Sequence, residues 1–164
     1  MAIVVEDGSI VTGANSYVSR ADVIAYAASR GVTLADTTAT DAYLIKSCDY
    51  LESFADKFKG ERYSRDQALC WPRAGVEIEG YDWSEDEVPR QLIAAQCALV
   101  VEIHAGSDPF NPDTVQGPIV EETVVGAVSV KYASATSSKV RKDSSSKTLI
   151  NLLLKRSGLF AVRA

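Results

Sequence analysis

Pro89-Arg90-Gln91-Leu92-Ile93-Ala94-Ala95-Gln96-Cys97-Ala98-Leu99-Val100-Val101-Glu102-Ile103-His104-Ala105-Gly106 decides how the chain folds. Proline fits a first helical turn and glycine ends helices, so the stretch predicts a helix from about Pro89 to Ala105. The acids of Ser84-Glu85-Asp86-Glu87 just upstream should sit near the positive end of its dipole. Leu92, Ile93, Ala95, Cys97, Leu99, Val100, Val101 and Ile103 leave little polar face, which calls for a central helix, surrounded inside the domain or partly by another subunit. Gln96 and Glu102 interrupt the run, which is shorter than the roughly 20 apolar residues of a membrane span.

Working outward, Leu44, Cys48, Leu51, Ala55 and Phe58 recur at intervals of four and three. They predict a second amphipathic helix, capped by Thr37, Thr38 or Thr40 and ending at Gly60. Ser19-Arg20-Ala21-Asp22 reads as the start of a first helix running to about Arg30, with Val23, Ile24, Ala27 and Ala28 on one face and Gly31 as its stop. The segment up to Tyr17 suggests an extended arm or edge strand. Between Glu61 and Val88 lies a glycine- and aromatic-rich structured loop with short strands. Ser107-Asp108-Pro109-Phe110-Asn111-Pro112-Asp113 is a run of turn formers. Val128, Val130 and Tyr132 alternate with smaller or polar neighbours as a half-buried strand would over 124–132. Ala133 to Lys147 reads as a polar linker, and Thr148 to Arg156 as a short helix closed by Gly158. The fold class is therefore mainly α: a small helical domain with a minor β element, a hairpin or strand, and extended terminal segments. Residues 1–132 form the domain and 133–164 the linker and C-terminal segment.

Composition narrows the chemistry. The 164 residues carry 46% hydrophobic residues and 24% charged ones with both signs interspersed, enough for one folded core. A net charge of −5 and a pI near 4.9 argue against wrapping duplex DNA. Cys48, Cys70 and Cys97 form no CxxC pair and read as buried thiols of a reducing compartment. The N-terminus lacks a basic n-region, so no secretion signal is expected. His104 is the one histidine. A catalytic set would have to be built around it at the end of an apolar helix, and no enzyme activity is expected. The scattered cysteines and His104 make a poor zinc set, and prolines break any calcium loop around Asp108, Asn111 and Asp113. No phosphate-binding glycine loop occurs, so neither cofactor nor metal is expected. Glu85-Asp86-Glu87 fits a helix cap better than a paired-carboxylate site.

Two groups remain as binding candidates. Lys139, Arg141, Lys142 and Lys147 form a basic cluster that a solvated linker also explains. Tyr63, Trp71, Arg73, Tyr81 and Trp83 have the composition of a base-stacking platform or a protein interface, with structural packing as the simpler use.

Tyr63-Ser64-x-x-Gln67-x-Leu69-x-Trp71-Pro72-Arg73-x-Gly75, followed by Gly80, Val88-Pro89-x-x-Leu92-x-x-Ala95 and Gly106-x-Asp108, resembles phage and prophage proteins labelled DnaT-like single-stranded-DNA-binding proteins. Ala14-Asn15-Ser16-Tyr17-Val18-Ser19 is similar to their opening, and the resemblance spans about Gly13 to Tyr132. In tailed phages such proteins resemble head-to-tail connectors, or adaptors. That implies a structural virion protein, made in the host bacterial cytoplasm, forming a ring, commonly twelvefold, under the portal. Its expected partners are copies of itself, the portal protein and a tail or stopper protein, with phage DNA passing without specific binding and no membrane contact. On this reading Tyr63, Trp71, Pro72, Arg73 and Gly75 form an interface and scaffold motif. Leu149, Ile150, Leu152, Leu153, Leu154, Phe160 and Arg163 would dock on the portal or a neighbour, since so short a helix is marginal alone, the alternative being that it packs on its own domain's core. The alternative is a single-stranded-DNA-binding or replication accessory protein using Tyr63, Trp71, Arg73 and the basic linker.

Overall fold

The computed structural model describes residues 2–111, 114–115, 140–141 and 145–155. Three longer helices carry the domain: α1 (Arg20–Ala28), α2 (Thr38–Glu52) and α3 (Arg90–His104). Between α2 and α3 the chain makes β1 (Glu61–Arg62), β2 (Arg73–Ala74), β3 (Glu77–Ile78) and β4 (Tyr81–Asp82), paired as two antiparallel ribbons. After α3, β5 (Thr114–Val115) pairs antiparallel with β6 (Val140–Arg141). The chain then forms α4 (Ser145–Ile150) and a 3-10 turn, Asn151–Leu153. The architecture is mainly α with minor β.

The nearly all-apolar composition of α3 is explained by its neighbours, since α1, α2 and α4 all pack on it. It buries Leu92, Ala95, Gln96, Cys97, Leu99, Val100 and Ile103. Gln96 is fully buried and fully used: its Oε1 accepts from Tyr17 N at 2.9 Å, and its Nε2 donates to Ser16 Oγ at 2.9 Å and Leu44 O at 3.0 Å. One side chain thereby ties the N-terminal arm and α2 to α3, and truncating it would strand buried polar groups.

Several predicted boundaries and caps differ. Pro89 is the N-cap of α3 and no acidic residue lies in the first turn. The 84–87 acids are exposed in the loop, where Asp86 accepts from the Ser84 hydroxyl. Helix α1 stops at Ala28, whose side chain is exposed, and Gly31 at φ 75° follows its last turn. Helix α2 ends at Glu52, well before Gly60, because Ser53 and Phe54 donate to Leu51 O and tighten the chain into successive turns. Phe58 still reaches the core, fully buried and edge-on to Trp71 at 5.7 Å, so the periodicity located the burial although the helix had already ended.

The arm is pinned by a parallel bridge, Val5 to Ser16. Buried Glu6 accepts backbone N–H bonds from Gly8, Ile10 and Val11 at 2.9, 3.0 and 2.9 Å, closing the loop that follows. Gly8, at φ 107°, lies so close to the 84–87 loop that a Cβ would stand 1.9 Å from Asp86 O. Only glycine fits there.

The C-terminal helix corrects the docking expectation. Ile150 and Leu153 are fully buried in the chain's own core, Leu149 and Leu154 are half-buried, and only Leu152 stays 44% exposed. The main chain fixes the segment as well, with Lys59 N donating to Leu153 O at 2.9 Å and Lys155 N to Lys57 O at 2.7 Å. Burying an aliphatic side chain contributes about 1.5–3 kcal/mol, and α4 obtains it from α3 rather than from a neighbour. Phe160, Arg163, the predicted strand over 124–132 and the 132/133 boundary lie outside the described residues.

Candidate functional site

The loop carrying the Trp71-Pro72-Arg73 motif is clamped from within. Trp71 is fully buried, and Pro72 follows it through a cis peptide. Buried Arg73 spends its guanidinium on backbone carbonyls: Lys59 O at 2.7 Å, Gly60 O at 2.8 Å and Cys70 O at 3.3 Å. Gln67 accepts from Ser64 N and donates to Leu69 O and Pro72 O. Glu52 at the end of α2 receives Cys70 N at 2.8 Å and the Tyr17 hydroxyl at 2.5 Å. Burial, and the nearness of Cys70 and Glu52, push the Tyr17 phenol above its usual range. The thiols are buried, with Cys97 pushed by desolvation up to about 11 and Cys48 and Cys70 further. Trp71 and Arg73 therefore offer no face to a ligand, which removes them from any stacking platform.

Tyr63 and Tyr81 point outward, 54% and 77% exposed, Trp83 is half-buried and Gly75 lies exposed at φ 65°. Tyr63 shares a shallow groove of about 510 Å³ with Gly8, Ser9, Ile10, Ser84, Glu85 and Asp86. Residues 61–87 hold eight acidic side chains against three basic ones, of which Arg73 is buried. The field over these tyrosines repels a polyanion. Of the basic cluster, Lys147 is exposed on α4 and Arg141 lies on β6 opposite Thr114, while Lys139 and Lys142 lie outside the described residues.

A second aromatic group occupies the outer side of α2. Residues 43, 46 and 50 share a helix face that flanks the buried stripe Leu44, Cys48 and Leu51, with Tyr43 and Tyr50 half-buried against the core, and the turns after Glu52 extend it through Phe54 and Lys57. Tyr50 packs edge-on to Phe54 at 5.3 Å and to Phe110 at 5.6 Å, so a ring from the turn after α3 joins one from α2 and one from the turns that follow it. Phe110 is 52% exposed. Lys57 Nζ stands 5.3 Å from the Phe54 ring, and at the other end Lys46 pairs with Asp108 at 3.2 Å. Lys155 lies beside Lys57 through their backbone bond. Tyr43 meets His104 edge-on at 6.1 Å, extending the row toward the end of α3. Over 43–57, Lys46 and Lys57 stand with Asp49, Glu52 and Asp56, and Lys155 and Asp108 join from other segments, three lysines to four acids, a balance less acidic than over 61–87.

The sequence reading passed over this row because Tyr50, Phe54 and Phe110 were scattered among core and turn signals. The visible signal was Tyr43, Lys46, Tyr50, Phe54 and Lys57 at intervals of three and four.

A family model described as "Putative DnaT-like ssDNA binding protein" matches residues 1–164. No curated protein and no solved structure matches the chain. The family match overturns the head-to-tail connector expectation. It extends over the whole chain, beyond Tyr132, and nothing in it points to a virion neck, a portal or tail partner, or a ring. DNA is the ligand that the family description carries, where the connector reading had DNA passing without specific binding.

Proposed function

The chain belongs to the DnaT-like single-stranded-DNA-binding family, and from that premise we propose that it binds single-stranded DNA without reading its sequence, through the outer face of α2. The observation that carries this reading is the row Phe110, Tyr50 and Phe54, three edge-packed rings with Lys46 at one end and Lys57 with Lys155 at the other. Bases stack on aromatic faces whatever their identity, while flanking cations track the phosphates. Single strands present free base faces and duplexes do not, so the row suits the former. The work is binding and requires no reaction chemistry.

Few cations line the row and the whole protein is acidic, so binding is weak at physiological salt and only shallowly salt-dependent. With two or three phosphates neutralised, the logarithmic slope is about −1.4 to −2. Titrating labelled oligothymidylate by fluorescence anisotropy tests the assignment: Tyr50→Ala and Phe54→Ala should each weaken binding by about 1–3 kcal/mol, at least about fivefold. Affinity unchanged in both variants would place the strand elsewhere.

A further inference from the structure

Asp108 holds two members of the row at once. Its Oδ1 accepts from Phe110 N at 3.0 Å, fixing the turn that lays the Phe110 ring against Tyr50, and the same oxygen pairs with Lys46 Nζ at 3.2 Å. Asn111 N also donates to Asp108 O at 3.1 Å, so the turn is closed around this residue. The bonds from Phe110 N and then Lys46 hold the carboxyl below the usual carboxylate range, so it stays charged near neutral pH. Lys46 and Asp108 keep 38% and 45% of their side-chain surface in water, an exposure at which another anion can reach the lysine.

We infer that Asp108 both positions Phe110 for stacking and occupies the place at Lys46 that a strand phosphate takes on binding. The inference rests on the α2 face being the DNA site. An arriving strand must exchange the Asp108 carboxylate for a phosphate at Lys46, so part of the electrostatic gain is already spent inside the free protein. The carboxylate thus lowers affinity for any polyanion, while its turn keeps the aromatic row assembled for ligands that bring bases. Asp108 is in this sense a positioning residue that shifts selection from charge toward stacking.

The two roles separate by substitution. Asp108→Asn keeps an oxygen that can accept from Phe110 N and removes the charge, whereas Asp108→Ala removes both. Oligothymidylate titration over a series of salt concentrations should show D108N binding about threefold tighter than the unmodified protein, the size of an exposed ion pair. Its logarithmic salt slope should be steeper by about 0.7, the value for one further phosphate contact on a single strand. D108A should gain less than D108N or lose affinity, and K46A should bind equally with and without D108N. D108N binding no tighter, while Tyr50→Ala still weakens the unmodified protein, would overturn the role of Asp108 alone. D108A matching D108N would overturn the positioning role. Binding indifferent to Tyr50 and Phe54 would remove the site itself and this inference with it.

Discussion

The loop over 61–87 and the outer face of α2 both gather aromatic and basic residues, yet they put them to opposite uses. In the loop, Trp71 and Arg73 turn inward and are consumed by packing and by backbone carbonyls, which leaves Tyr63 and Tyr81 outward among carboxylates. Along α2 and the turns after it, Tyr50 and Phe54 are half-buried at the edge of the core, and with exposed Phe110 they pack edge to edge with lysines beside them. Aromatic-plus-arginine composition selects the loop as a binding platform, and geometry selects the helix. The difference lies in what each side chain already contacts. A buried guanidinium that commits three of its five N–H donors to backbone carbonyls lies out of a phosphate's reach.

The comparison breaks most readily at Trp71. Trp71→Ala should destabilise the fold by about 3–5 kcal/mol, the cost of emptying a fully buried aromatic position. Urea denaturation followed by circular dichroism measures it. Whatever protein remains folded should bind single strands as before, because no DNA contact is lost. A near-unchanged midpoint would put Trp71 back among candidate ligand contacts. Ile150→Ala comes next, at about 2–5 kcal/mol, since Ile150 is buried under α3. Leu152→Ala, exposed on the same segment, should cost well under 1 kcal/mol. Equal effects from the two would contradict the packing of α4.

These contrasts also mark what was legible in the sequence. Helical spacing located α2 and α3 and most of their buried residues, because periodic burial leaves a periodic trace. It placed the end of α2 too late because Phe58 keeps the apolar rhythm after the hydrogen-bond ladder has changed to turns. The fate of Ile150 and Leu153 was not legible, because an apolar stripe specifies that a surface is covered and not by which surface. Nor was the binding row: Phe110 reaches Tyr50 across a gap of sixty residues, through a turn whose geometry no local pattern encodes. Gln96 looked like an interruption of an apolar helix and is the hydrogen-bonding centre that joins three segments.

A smaller effect sharpens the functional side of the comparison. Tyr50→Ala should weaken oligothymidylate binding by about 1–3 kcal/mol, the usual contribution of one stacked base. Because Tyr50 is only half-buried at the surface, the loss of stability should be below that of Trp71→Ala, read in the same denaturation experiment. Binding lost at position 50 with the fold kept, and fold lost at position 71 with binding kept in the remainder, would establish the division of labour between the two regions. Loss of both properties together at either position would dissolve it.

The smallest expected effect is at Tyr63. It is the one residue of the sequence-predicted motif with both a free aromatic face and a groove beside it, so exposure alone would rank it above Tyr50. Charge reverses that ranking. Glu85 and Asp86 line the same groove, and a phosphate approaching the ring meets like charges at close range before any stacking is gained. The ring is no core anchor either, so its removal leaves no sizeable cavity. Tyr63→Ala should therefore shift stability by no more than about 0.5 kcal/mol, the range of ordinary surface substitutions, and should leave oligothymidylate affinity unchanged. The informative variant adds charge reversal: Glu85→Lys with Asp86→Lys turns the groove basic. If repulsion is what keeps DNA from Tyr63, this double variant should acquire binding that Tyr63→Ala then abolishes. Tyr63→Ala weakening the unmodified protein would show that the strand already tolerates the acidic groove, and that the two regions share the ligand.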